Sequence, residues 1–207
     1  MCPFSITIRM KEPVMTTTAD ISTSNRNGLA GYYALRALVS ALWVVLAFTI
    51  GKAHPPLGIA LIIAYPAWDS LANYIDAKGN GGLRANPTQM LNVIVSAIVT
   101  LAVAVAATRD FHVVIAIIGI WAALAGILQL ITAVRRWRSS GAQWPMILSG
   151  GQSALAGAIF VKKATDATAS LSVADVAPYA AFGAFYFAIS AAILFLKRSD
   201  HAAFRSR

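Results

Sequence analysis

The chain is poor in cysteine, in charge and in acidic residues, and each shortage excludes something. Its one cysteine, Cys2, rules out an internal disulfide and leaves no cysteine ligand set for a metal. Charged residues make up 12% of the chain, against about 25% in a soluble domain, which argues against a water-soluble globular protein. Eight acidic residues face seventeen basic ones, for a formal charge of +9. Such a balance is often met in nucleic-acid-binding proteins. Here, however, the basic residues lie between hydrophobic runs, where they act as membrane topology signals, so no nucleic-acid partner is expected. What is abundant is apolar: 58% of residues are hydrophobic and the mean hydropathy is +0.67, the composition of a multi-pass membrane protein.

Six hydrophobic segments, 32–50, 57–75, 88–107, 112–134, 144–161 and 177–196, are each near the ~20 residues that carry a helix across a hydrocarbon core of about 30 Å. None alternates with period two, so they read as helices and not as barrel strands. The expected fold is an all-α integral membrane bundle of six transmembrane helices in a domain spanning 29–198. Residues 1–28 are rich in Ser, Thr and Asn and lack the apolar core of a cleavable signal peptide, so they read as a disordered cytoplasmic tail. Residues 199–207 form a second tail, and translation starting at Met15 instead of Met1 stays open. Tight turns at Pro55 and Pro56 and at 108–110 predict three antiparallel hairpins in series, 32–75, 88–134 and 144–196. The longer connection 162–176 contains Ser172 and Asp175 at capping-box spacing, ahead of Pro178 in the first turn of the last helix.

Orientation follows from the basic residues. The N-terminal tail and first helix, the second and fourth connections and the C-terminus hold thirteen of the seventeen, among them Arg36, Lys78, Arg84, Arg135, Arg136 and Arg138. Lys52, Arg109, Lys162 and Lys163 fall on the other side. Both termini are therefore expected on the cytoplasmic side, with anionic headgroups as the partner of the basic side.

One stretch interrupts the apolar pattern. Tyr65, Asp69, Asn73 and Asp76 fall within about 80° of one another on a helix, with Asp69 about 10 Å deeper than Asp76. An ionised aspartate facing lipid near a helix centre costs about 2.5–3.5 kcal/mol, so Asp69 should face the bundle. Arg36, Gln89, Asn92, Gln129 and Gln152 lie at similar depth on other helices. The candidate polar cluster is Arg36, Asp69, Asn73, Asp76, Asn92, Gln129 and Gln152. Two readings stay open: a site for a substrate or proton, or polar side chains that pair between helices to hold the bundle together. Pro66 either kinks the same helix or frees a backbone carbonyl as a ligand oxygen.

The glycine-rich loop after Asp76 has neither the preceding strand nor the Lys-Ser/Thr of a phosphate loop. His54, His112 and His201 read as solvated loop residues without metal-ligand spacing. No Ser-His-Asp set, His-Glu zinc motif or pair of catalytic carboxylates occurs, so no enzyme, cofactor or metal is expected. Small residues, Ala122 with Gly126, Ser153 with Gly157, and Gly183 with Ala184 and Ala188, suit close helix approach, as does the run Ser149-Gly-Gly-Gln-Ser in helix five.

Gly119-Ile-Trp-Ala-Ala-Leu-Ala-Gly126 in the fourth helix and Gly183-Ala-Phe-Tyr-Phe-Ala-Ile-Ser190 in the sixth share a small residue, an aromatic two places on and a small residue seven places on. With the run from Trp144 to Gly157, this pattern resembles the HdeD-like short-repeat membrane proteins of bacteria over about 88–198. The resemblance implies six helices built from repeated hairpins and a role in acid or envelope stress. It implies no catalytic or binding residues. A small transporter or channel centred on Arg36, Asp69 and Asn73 is the rival expectation, and a scaffold subunit or homo-oligomer the third.

Overall fold

A computed structural model describes residues 18–140 and 143–205, with side chains described for 28–138 and 143–196. Among the described residues there are six long helices and no strands: α1 (Thr18–Leu46), α2 (Pro55–Gly79), α3 (Pro87–Ala106), α4 (Phe111–Ser140), α5 (Trp144–Ala164) and α6 (Ala177–Arg205). α1 ends in a wide π-helical turn, Ala47–Gly51. Prolines open α2, α3 and α5 in the first turn, where a missing N–H costs nothing.

Several boundaries move outward from the sequence reading. α1 starts at Thr18, so residues 18–28 of the expected tail continue the helix, and 199–205 likewise extend α6. Once a helix is nucleated, each further residue adds a hydrogen bond, and polarity alone does not stop it. Residues 1–17, with Met1, Cys2 and Met15, lie outside the described residues. α2 runs through Pro66 to Gly79, and α4 runs six residues past 134 to Ser140. One residue before the carbonyl that Pro66 leaves unbonded, the Leu61 carbonyl accepts a 2.8 Å hydrogen bond from Trp43 Nε1.

Five of the helices are long and apolar enough to cross a membrane: Gly28–Gly51, Pro87–Ala106, Phe111–Arg138, Trp144–Ala164 and Ala177–Leu196. α2 is long enough, at 25 residues, but its second half carries Asp69, Asn73 and Asp76. The outer face is apolar, and part of the interior is polar. Leu38, Leu101 and Leu155 are 68%, 70% and 63% exposed, while Asp69, Asp76, Asn92 and Ser96 are at most 7% exposed. An apolar belt on every helix is what a lipid solvent demands and water penalises, so this is a multi-pass membrane protein.

The helices form a ring in chain order, each packed on its neighbours, with α6 returning to lie along α1. The closest pairs are α4 with α5, α1 with α6, and α2 with α3. Against the expected hairpins 32–75, 88–134 and 144–196, the tightest packing is thus offset by one helix. The reason is visible in the side chains. α4 and α5 meet through facing glycines, α2 and α3 share hydrogen bonds, and α1 and α2 touch mainly where Gly51 meets Gly58. A Cβ on Gly58 would stand 2.7 Å from the Gly51 carbonyl oxygen. Gly183, aligned with Gly119 in the internal repeat, has nothing within 4 Å of its Cβ position, so it does not serve the close approach read for it.

The ring has two unlike ends. At the end bearing the turns 52–54 and 107–110, a buried apolar layer fills the centre, including Trp43, Ile62, Val103, Ile115, Ile118 and Phe160. The connection after α5 folds onto this layer. Ser172 and Asp175 form the expected capping box around a 3₁₀ turn, Val173–Asp175, whose buried Val173 packs against Gly51 and Gly58. At the other end, which carries Lys78, Arg84, Arg135 and Arg138, the interior is polar. That polar interior holds the candidate site.

Candidate functional site

Asp69 sits near the middle of α2 and collects hydrogen bonds from three helices. Arg36 Nη2 of α1 donates to Oδ1 at 2.5 Å. Ser96 Oγ of α3 and Asn73 Nδ2 of α2 donate to Oδ2 at 2.9 and 3.2 Å. Ser96 in turn accepts from Trp121 Nε1 of α4 at 2.9 Å. The Arg36 guanidinium also donates to the Tyr32 hydroxyl at 3.1 Å and lies 4.3 Å from the centre of the Phe187 ring of α6. One carboxylate thereby ties α1, α2, α3 and α4, with α6 closing over the cation. The charge is fully matched, as a buried ion must be in this medium.

Asp76 repeats the arrangement two turns away, about 10 Å along the helix. Arg136 of α4 donates to both carboxylate oxygens, at 2.8 and 3.3 Å, a bidentate fork. Gln89 of α3 donates at 3.1 Å and Asn80 at 3.0 Å. Gln89 accepts from Thr88, which accepts from Thr132. Between the two carboxylates the interior is not filled.

Two adjoining cavities occupy that space, each of about 40 Å³. The deeper one is walled by residues of all six helices, among them Arg36, Tyr65, Asp69, Asn92, Gln152 and Tyr179. The second, nearer the basic end, has Asn73, Asp76 and Arg136 in its wall and shares Arg36, Asn92, Gln129 and Phe187 with the first. A third depression of about 130 Å³, bounded by Thr88, Gln89, Arg135 and Arg136, continues to the surface at that end. Since one water needs about 10–15 Å³ by this measure, each inner cavity has room for a few water-sized groups.

All seven sequence-derived candidates reach these walls. Arg36, Asp69 and Asn73 are in direct contact, and Asp76 forms a second centre with its own cation. Gln129 donates to the Met146 carbonyl at 3.1 Å, tying α4 to α5, and Gln152 lines the deeper cavity. Asn92 is 6% exposed, and among the described residues its side chain makes no hydrogen bond.

Arg136, Ser96, Trp121 and Tyr179 were not among the candidates. For Arg136 and Ser96 the signal lies in spacing. Gln129, Thr132 and Arg136 follow one another at i, i+3 and i+7, as do Gln89, Asn92 and Ser96, so each set forms one face of its helix. The hydrophobic segment 112–134 stops short of Arg136, which the structure places inside α4.

The opposite end has electrostatics of its own, in the 165–176 connection. Burial works against the charge on Asp175, but the Lys163 side chain and the Ser172 N–H, both donating to its carboxylate, hold its pKa below the ordinary carboxylate value. Hydrogen bonds from the Thr168 hydroxyl and N–H hold the exposed Asp166 low in the same way. His112 at the start of α4 lies 3.2 Å from the Asp166 carbonyl oxygen and takes Asp110 as its other neighbour. Among the described residues, no group of three His, Cys, Asp or Glu gathers that could hold a metal ion.

Comparison with known proteins gives one match. Neither a curated protein nor a solved structure matches the chain. Residues 91–162, about a third of the chain, match the family described as Short repeat of unknown function (DUF308). That segment holds most of α3, all of α4 and α5 as far as Lys162, and with them Asn92, Ser96, Trp121, Gln129 and Arg136. The chain is thus similar to this short-repeat family through the half of the ring that supplies the α3, α4 and α5 walls of the cavities.

Proposed function

We propose that this protein is a six-span transporter or channel of the bacterial cytoplasmic membrane, without enzymatic activity, whose site is the interior space at Arg36, Asp69 and Asn73. The observation that carries the reading is that space itself: adjoining cavities beside two buried ion pairs, inside a molecule whose outer face is apolar. Polar residues that only held helices together would be packed to native density, because voids forfeit contacts. α2 acts as the sixth span. It is flanked by α1 and α3, and its polar stripe is turned inward, which accounts for its lower hydropathy. The basic end faces the cytoplasm with both termini, against anionic headgroups, so the cavities are approached from inside while the apolar layer closes the outer end.

The HdeD-like resemblance suggests the physiological setting, acid or envelope stress, whereas the short-repeat match, to a family of unknown function, supports the repeat and not the setting. The test is chemical access. In a chain with Cys2 replaced by Ser, Ser149→Cys, in the wall of the deeper cavity, should react with the small neutral reagent methyl methanethiosulfonate. A thiol that does not react would mean a dry, packed interior and would overturn the transport reading.

A further inference from the structure

The transport reading leaves the solute unspecified, and resting on that reading, we infer that the chamber takes a small uncharged hydrogen-bonding molecule, of the size of urea or formamide, and not an ion. Every charge in it is already matched. Arg36 is held by Asp69 and Arg136 by Asp76, so an entering ion would have to displace one partner and leave the other unpaired. What the chamber offers instead is hydrogen-bonding groups without a protein partner. The buried side-chain atoms without one, among the described residues, are Arg36 Nε, Trp68 Nε1 and Asn92 Oδ1, and all three residues line the deeper cavity.

The Asn92 amide is the clearest of these. It is 6% exposed, it stands in the wall shared by both inner cavities, and among the described residues neither its oxygen nor its nitrogen is bonded. Leaving such a group unsatisfied is unfavourable, so a site of this kind selects a guest that can satisfy it. Two fixed donors and an amide that both donates and accepts call for a guest with an acceptor carbonyl and at least one N–H or O–H. Hydroxyls of Ser40 and Ser149 and the Gln152 amide extend the same chemistry along the wall. Volume favours a small guest: each of the two adjoining spaces, of about 40 Å³, has room for a few water-sized groups.

The experiment uses the full-length protein in proteoliposomes, with urea and formamide as neutral probes and potassium and formate as ions. Stopped-flow light scattering follows the neutral probes, and ion-sensitive dyes follow the ions. The expected result is urea or formamide entry above that of protein-free liposomes, with ion entry unchanged. Asn92→Leu should lower the neutral flux about tenfold, and Trp68→Phe, which removes one donor and keeps the aromatic body, should lower it by a smaller factor. Each variant is first shown to be monodisperse and helical, and Trp68→Phe carries the test if Asn92→Leu does not fold. Ion entry without neutral entry would overturn this inference and leave the transport reading standing. If neither class moves although Ser149→Cys reacts, the chamber is wet but does not conduct, and this inference fails. If neither class moves and that thiol is unreactive, the transport reading fails with it.

Discussion

Gly126 and Gly150 face each other so closely that a Cβ on either would stand 2.6–2.8 Å from the other's carbonyl oxygen. Seven residues away on each helix, Gly119 and Gly157 repeat the contact at 2.5–2.8 Å. The two numbers in each pair have the same sum, as an antiparallel pair with a local two-fold axis requires. Close backbone approach of this kind gives van der Waals contact where lipid offers no hydrophobic driving force.

Adding one methyl group at Gly126 should therefore force α4 and α5 apart. Gly126→Ala is expected to destabilise the protein by about 1–3 kcal/mol, the usual cost of overpacking. Gly151→Ala, next door but with nothing within 4 Å of its Cβ position, should be tolerated. Thermal melting in detergent compares the two, and equal melting temperatures would mean the glycine contact carries no stability.

Removing one member of the central ion pair should cost more than removing both. Asp69→Leu leaves Arg36 uncompensated among buried groups, for which about 3–5 kcal/mol is typical. Arg36→Met with Asp69→Leu leaves no stranded charge and should recover part of that loss. A double variant whose destabilisation equals the sum of the two single ones would show that the residues do not act as a pair.

Topology can be read from two exposed positions. With Cys2 replaced, Gly79→Cys at the basic end of α2 should react with an impermeant maleimide only from the cytoplasmic side, and Lys52→Cys only from outside. Reaction of both from one side would mean that α2 does not span.

The 165–176 connection should respond to strong acid. Because the Asp175 carboxyl is held below its ordinary value, its contribution is complete above the unfolded value of about 3.9 and is lost as pH falls through the lower folded one. Hydrogen-exchange protection in this segment should stay constant from neutral pH to about pH 4 and fall below it. Asp175→Asn should show the weakened protection already at neutral pH. Equal protection in the variant and the parent would separate the capping box from the loop's stability.

Much of this was legible in the residues. The apolar runs located the helices, because in lipid a long apolar segment can only be a helix, and the stripe Asp69, Asn73, Asp76 showed which face of α2 turns inward. The pairing of helices was not legible. Short turns suggest hairpins between chain neighbours, whereas the depth of contact depends on which glycines meet, and Gly119 and Gly183 look alike in sequence while only Gly119 has a backbone against it. Arg136 was hidden by a boundary: hydropathy falls at the basic cluster six residues before the helix does. The free Asn92 amide lies beyond any sequence signal, since an asparagine facing a cavity and one bonded to a neighbouring helix share the same spacing.

The closure of α1 against α6 also sets a timetable. Asp69 follows Arg36 by 33 residues, so the central ion pair can form early. Phe187, which covers the same guanidinium, emerges 151 residues after it, roughly 8–30 s later at 5–20 residues per second of synthesis. For that interval the growing protein is an open crescent whose polar lining, including Asn92 and Gln129, faces the insertion machinery or the bilayer and not α6. The nascent chain must be sheltered along one seam until its last helix arrives.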